Sequence, residues 1–96
     1  MDEVKVFGLL GEKLTHSYSK IIHEAIDGKY HLFEVSKDNF DDFMVKRDFD
    51  AINVTIPYKE MVIPYLDYID EKALKIKAVN TIVNKNGKLY GYNTDY

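Results

Sequence analysis

The chain has 96 residues, 46% of them hydrophobic, no cysteine and a formal net charge of −3. That length supports one compact domain able to bury roughly two-thirds of its unfolded surface without covalent staples. The missing cysteine excludes disulfide frameworks, thiol nucleophiles and cysteine-ligated zinc, and the mixed, slightly acidic charge lacks the basic footprint of a nucleic-acid binder.

Val4 to Leu10 reads as a buried strand closed by Gly8 and Gly11. Because Lys5 and Gly8 interrupt it and Met1-Asp2-Glu3 precedes it, it is not a signal peptide. No apolar run approaches membrane length, so no membrane partner is expected, and the missing cysteine gives a cytoplasmic location as the expectation. Ser19 caps a helix whose apolar face is Ile21, Ile22, Ala25 and Ile26, with Gly28 as its left-handed stop. Tyr30 to Val35 is a second strand. Ser36 opens the next helix, which carries Phe40, Phe43 and Met44 on one face, with Val35 stapled onto Phe40.

Asp50 to Ile56 is short, β-branched and apolar apart from Asn53 and Thr55, as a central strand covered by helices would be. Pro57 starts a helix that Pro64 ends. A further helix over Asp70 to Ile76 buries Ala73 and Leu74. Val79 to Val83 and Leu89 to Tyr92 face each other across Asn86-Gly87, a strong signal for a tight antiparallel hairpin. The predicted fold is therefore a three-layer α/β sandwich, with a mostly parallel sheet and one antiparallel strand contributed by the C-terminal hairpin. No G-x-G-x-x-G follows any strand, so the chain has no dinucleotide fingerprint.

Polar residues break the apolar strands at three places: Asn53-Val-Thr55, Val79-Asn80-Thr81 and Tyr92-Asn93-Thr94-Asp95. An apolar strand gains nothing from such groups unless something polar meets them. Taken singly, each asparagine also fits a turn. Lys59 falls in the first turn of the helix begun by Pro57, where it is either a proton-transfer group or a solvated lysine. Asp95 is a partner for Lys59 if the sheet brings their strand ends together, and otherwise a turn residue. In the loop before the first helix, Ser17 and Ser19 stand near free amides that suit a carboxylate, although capping explains Ser19 equally well. His16 reads as a structural hydrogen-bonding residue. His23 and His31 fit neither a metal pair nor a triad.

Together these residues resemble the N-terminal, substrate-binding domain of shikimate dehydrogenase, over Val6 to Asp95. Gly11 to His23 is similar to the family's G-x-P-x-x-H-S-x-S-P-x-x-H, Asn53 to Lys59 to N-V-T-x-P-x-K, Ala78 to Ile82 to A-V-N-T-I, and Gly91 to Asp95 to G-x-N-T-D. The resemblance implies NADP-dependent reduction of 3-dehydroshikimate to shikimate, a step toward aromatic amino acids. It implies that Ser17 and Ser19 hold the substrate carboxylate, that Thr55, Asn80 and Asp95 bind ring hydroxyls, and that Lys59 and Asp95 are the catalytic pair. Asn53 would support the site from below.

The same resemblance places NADP on a second domain absent from this chain, so the fragment alone is expected to be inactive and to hold neither cofactor nor metal. Departures from the pattern are Lys13 and Lys20 in place of prolines, Glu24 in place of asparagine, and Ala51 and Lys77 where glycine is frequent. Two alternatives remain open: a quinate-preferring relative, and a non-catalytic module binding a small hydroxylated carboxylic acid. An exposed edge strand also leaves a homodimer as an expectation.

Overall fold

The computed structural model describes residues 6–14 and 30–94. In chain order it contains strand β1 (Phe7–Gly11), β2 (Tyr30–Glu34), helix α1 (Lys37–Lys46), β3 (Ala51–Val54), the single-turn helix α2 (Tyr58–Met61) and a 3-10 turn (Ile63–Tyr65). Strand β4 (Tyr68–Ile69), helix α3 (Glu71–Ile76), β5 (Thr81–Lys85) and β6 (Lys88–Tyr92) follow. The helix expected after Ser19 lies outside the described residues, as do His16, Ser17, Ser19, Lys20, His23, Gly28 and Asp95.

The six strands form one sheet in the order β2-β1-β3-β5-β6-β4. β1 runs parallel to both β2 and β3, and β4 runs parallel to β6. β5 is antiparallel to both its neighbours, β3 and β6. The fold is thus the mostly parallel α/β sheet with one reversed strand that the residue pattern predicts.

Packing explains the order. In register, Leu10 stands beside Val54 and Ile52 beside Ile82, and these four residues are buried on one face with Leu89 of β6. Helix α1 covers that face with Phe40 and Met44, one turn apart and 4% and 0% exposed. Burying side chains of this size stabilises by about 1.5–3 kcal/mol each. Phe40 also stacks on Tyr58 of α2, with ring centroids 4.4 Å apart. The opposite face carries Asn53, Thr81 and Tyr92 side by side.

Several local expectations change. Ser36 has the extended backbone of an N-cap, but its hydroxyl accepts from Asn39 Nδ2 at 3.1 Å and makes no capping bond. The central strand, Ala51–Val54, is shorter than Asp50 to Ile56, and the Asp50 carboxylate beside its start accepts the Val6 N–H at 2.7 Å. Pro64 does not end a long helix. After one α turn, Val62 closes α2 through its N–H to the Tyr58 carbonyl, and Pro64 enters the 3-10 turn where its missing N–H is not required.

In α3, Ala73 is buried as expected, but Leu74 is 53% exposed. A six-residue helix offers the sheet little more than one residue per turn, and the next side chain points roughly 100° away. Val79 and Asn80 precede β5 rather than belonging to it. Asn86 and Gly87, with φ of 55° and 86°, make the turn of the hairpin, both in the left-handed region that a primed turn needs. Strand β4 has no counterpart in the sequence reading, since two residues carry no periodicity.

Candidate functional site

Because β5 is reversed, its first residue lies at the same sheet edge as the last residues of β1, β3 and β6. Thr81 pairs with Asn53 on one side and with Tyr92 on the other. Three of the polar interruptions seen in the sequence therefore meet at this edge.

Backbone bonds fasten them to one another. The Asn80 carbonyl accepts the Val54 N–H at 2.8 Å, and the Asn80 N–H reaches the Tyr92 carbonyl at 3.0 Å. The Lys59 carbonyl accepts the Val79 N–H at 2.8 Å, so the turn bearing Lys59 is tied to the loop bearing Asn80. Asn93 Nδ2 donates to the Ala78 carbonyl at 2.9 Å. Thr55 continues the β3 ladder through its N–H to the Leu10 carbonyl at 2.9 Å, and its own carbonyl starts the turn by accepting the Tyr58 N–H.

Asn80 is the one buried polar side chain among the described residues, at 7% exposure. Its Oδ1 accepts from the Thr94 N–H at 2.9 Å, from the Thr81 hydroxyl at 3.1 Å and from the Thr94 hydroxyl at 3.3 Å. Asn53 Nδ2 in turn donates to the Thr81 hydroxyl at 3.5 Å. A polar network thus runs from β3 through β5 to the segment after β6.

Lys59 is half-buried beside fully buried Tyr58, which it follows in a chain turned by a cis Ile56-Pro57 bond. The Tyr58 hydroxyl donates to the Val35 carbonyl at 2.6 Å, and burial first, then the Glu12 charge, raise its pKa above the ordinary 10.0. Gly11, at the end of β1, leaves the room that Thr55 occupies: a Cβ there would stand 2.7 Å from Thr55 Cγ2 and 2.5 Å from Leu14 Cδ2. A cleft of about 210 Å³ opens at this edge, lined by Glu12, Lys13, Ile56 and Pro57.

The structure therefore brings Thr55, Lys59 and Asn80 to one edge, with Asn53, an exposed residue, joined to Asn80 through Thr81. Ser17, Ser19 and Asp95 lie outside the described residues, although Thr94, the residue before Asp95, is bonded to Asn80. Sequence reasoning noticed Thr81 and Thr94 as polar interruptions and gave them no role. Their signal was the Asn-Thr pairing repeated at two strand ends. Among the described residues no group of three or more His, Cys, Asp or Glu could hold a metal ion, and no helix is long and apolar enough to cross a membrane.

Comparison with known proteins gives the chain's family and fold. Residues 9–82 match the family described as the shikimate dehydrogenase substrate binding domain. The shikimate dehydrogenase (NADP(+)) of Clostridium beijerinckii is 48% identical over 97% of this chain, which spans 38% of that relative. The crystal structure of shikimate dehydrogenase 1 from Peptoclostridium difficile superposes with a TM-score of 0.82 at 42% identity, over 96% of this chain and 37% of that one. A Thermus thermophilus shikimate 5-dehydrogenase, crystallised with NADP(H) and shikimate, gives a TM-score of 0.79 at 31% identity, over 93% of this chain and 37% of that one. The chain thus spans well under half the length of the proteins it matches, yet nearly all of it is accounted for by them. Matched over residues 9–82 by the substrate-binding domain itself, it belongs to the shikimate dehydrogenase family.

Proposed function

We propose that this segment is the substrate-binding and proton-transferring half of a cytoplasmic, NADP-dependent shikimate dehydrogenase that interconverts 3-dehydroshikimate and shikimate. The observation that carries the reading is the meeting of Thr55, Lys59 and Asn80 at one strand edge, in a fold family whose ligands sit at such edges. The relatives' names and the shikimate bound in the Thermus thermophilus crystal support the choice of ligand.

The chain's own sequence has no glycine-rich dinucleotide turn, so none of its residues is assigned to the nucleotide. NADPH, held elsewhere in the protein, supplies the hydride. This segment holds the ring and manages the oxygen. Ser17 and Ser19 take the carboxylate, and Thr55, Asn80 and Asp95 take ring hydroxyls. As the ketone carbon gains hydride, negative charge grows on its oxygen, and the Lys59 ammonium stabilises that charge and donates the proton that completes the alcohol. Asp95 orients the ammonium.

The test uses the protein encoded by the full reading frame that contains this segment. It should reduce NADP+ when given shikimate, with quinate compared in parallel. Lys59→Ala should lower kcat by about 10²–10⁴-fold, the usual worth of a positioned acid, and leave the thermal midpoint in place. Undiminished turnover in that variant would falsify the proton-transfer role. Higher kcat/KM with quinate would move the protein to the quinate-preferring branch, and shikimate binding without turnover would favour a binding module.

A further inference from the structure

Taken with the hydroxy-acid site proposed above, the network around Asn80 says more than that an amide is present. The Thr94 backbone N–H can only donate, so the Asn80 atom 2.9 Å from it is the oxygen, and the amide orientation is fixed. Two hydroxyls crowd the same oxygen, that of Thr81 at 3.1 Å and that of Thr94 at 3.3 Å. The Thr81 hydroxyl is nearer to Asn80 Oδ1, an acceptor only, than to the Thr94 hydroxyl at 3.5 Å, and with its proton on Asn80 its lone pairs accept from Asn53 Nδ2. The Thr94 N–H and the two hydroxyls thus converge on Asn80 Oδ1, while Asn53 Nδ2 reaches it only through Thr81.

Asn80 Nδ2 is left with two N–H groups and no hydrogen-bond acceptor among the described residues. Asn80 is 7% exposed, and no buried side-chain nitrogen or oxygen lacks a partner among the described residues, so the exposed fraction includes Nδ2. A side chain more than nine-tenths buried therefore keeps an accessible amide donor at the strand edge.

We propose that Thr81 is a positioning residue that holds the Asn80 carboxamide with its NH2 toward the ligand, so that this part of the site accepts only a hydrogen-bond acceptor such as a ring hydroxyl oxygen. The Thr81 hydroxyl is engaged within the network. It acts through Asn80 on one side and braces Asn53 on the other, joining the three polar strand ends. A ligand carrying an ammonium in place of that hydroxyl would face two donors and be rejected.

The test compares wild type, Thr81→Val and Thr81→Ser in the full-length protein, by kinetics and by the side-chain amide signals of Asn80 in 15N NMR spectra. Valine keeps the shape and β-branching and removes the hydroxyl. Loss of one such bond corresponds to about a fivefold rise in KM for shikimate, with a smaller change in kcat. With the Thr94 N–H still on Oδ1 the amide keeps its orientation but is held less firmly, so the Asn80 NH2 pair should shift and broaden, and serine should restore both values. An active wild type whose Val variant keeps both its KM and its Asn80 signals would overturn the role of Thr81. If wild type fails to oxidise shikimate, the substrate reading falls, and the Asn80 signals alone then decide whether Thr81 holds the amide.

Discussion

Tyr58 shows how a buried residue can place a candidate site residue beside it. Its ring is fully buried against Phe40 and its hydroxyl is spent on the Val35 carbonyl, which fixes the turn from which Lys59 projects. Tyr58→Phe would keep the stacking and orphan that carbonyl, at a cost of about 1–3 kcal/mol, read as a lower urea midpoint. The pH dependence has a definite sign. Burial favours the neutral phenol in the folded state, so its contribution is complete below the unfolded value near 10 and is lost as pH rises through the higher folded value. The gap in urea midpoint between wild type and Phe variant should therefore be full at pH 8 and shrink above pH 10. A gap that widens there would contradict the burial argument. At this scale the sequence was legible where a polar residue broke an apolar run, as at Asn53, Thr55 and Asn80. Tyr58 was not legible, and Thr81 was legible as a polar interruption but not in its role. A buried tyrosine and a strand threonine are ordinary residue types, and only their partners show what they do.

Among the elements, the hairpin and the helices over Lys37–Lys46 and Glu71–Ile76 could be read from turn chemistry and periodicity. Strand β4 could not, because its two residues are placed by pairing with β6 and not by any pattern of their own. The helix ends repay closer attention. Arg47 closes α1 and Lys77 closes α3, both left-handed, with φ of 53° and 54°. That geometry explains why glycine would suit position 77. Lys77→Gly should stabilise by about 1 kcal/mol, the strain that a side chain pays in that region. Arg47→Gly relieves the same strain but should destabilise on balance. Its guanidinium donates to Asp67 at 2.9 Å, to the Tyr65 carbonyl at 3.2 Å and to the Gly87 carbonyl, joining the end of α1 to the hairpin turn. The Leu89 N–H first, then Arg47, hold the Asp67 carboxyl below its usual range. That contribution is present above pH 3.8 and lost as pH falls through the depressed value. Opposite shifts in thermal midpoint for the two glycine variants, with the Arg47 variant losing less on acidification than wild type, are the expected outcome.

Reversal of β5 divides the molecule into two ends with different duties. Its first residue stands at the edge where Thr55, Lys59 and Asn80 gather, and its last leads into the Asn86-Gly87 turn at the opposite edge. Substitutions at two glycines can separate the ends. At Gly87 a Cβ would have nothing within 4 Å, so Gly87→Ala acts only through the backbone, whose φ of 86° costs a side chain about 1–2 kcal/mol. At Gly11 the backbone is an ordinary strand, and a Cβ would press on Thr55 and Leu14 instead. Stability should therefore fall in the Gly87 variant while KM for shikimate stays near wild type under conditions where the protein remains folded. In Gly11→Ala, Thr55 must move, and KM should rise by more than any loss of stability at the assay temperature explains. The comparison depends on the sheet being stiff enough to keep a fault at one end from reaching the other, as close-packed interiors with a shared core generally are. Equal changes in KM for the two variants would mean that the hairpin turn, some five residues along β5, sets the register of Asn80 as directly as its own hydrogen bonds do.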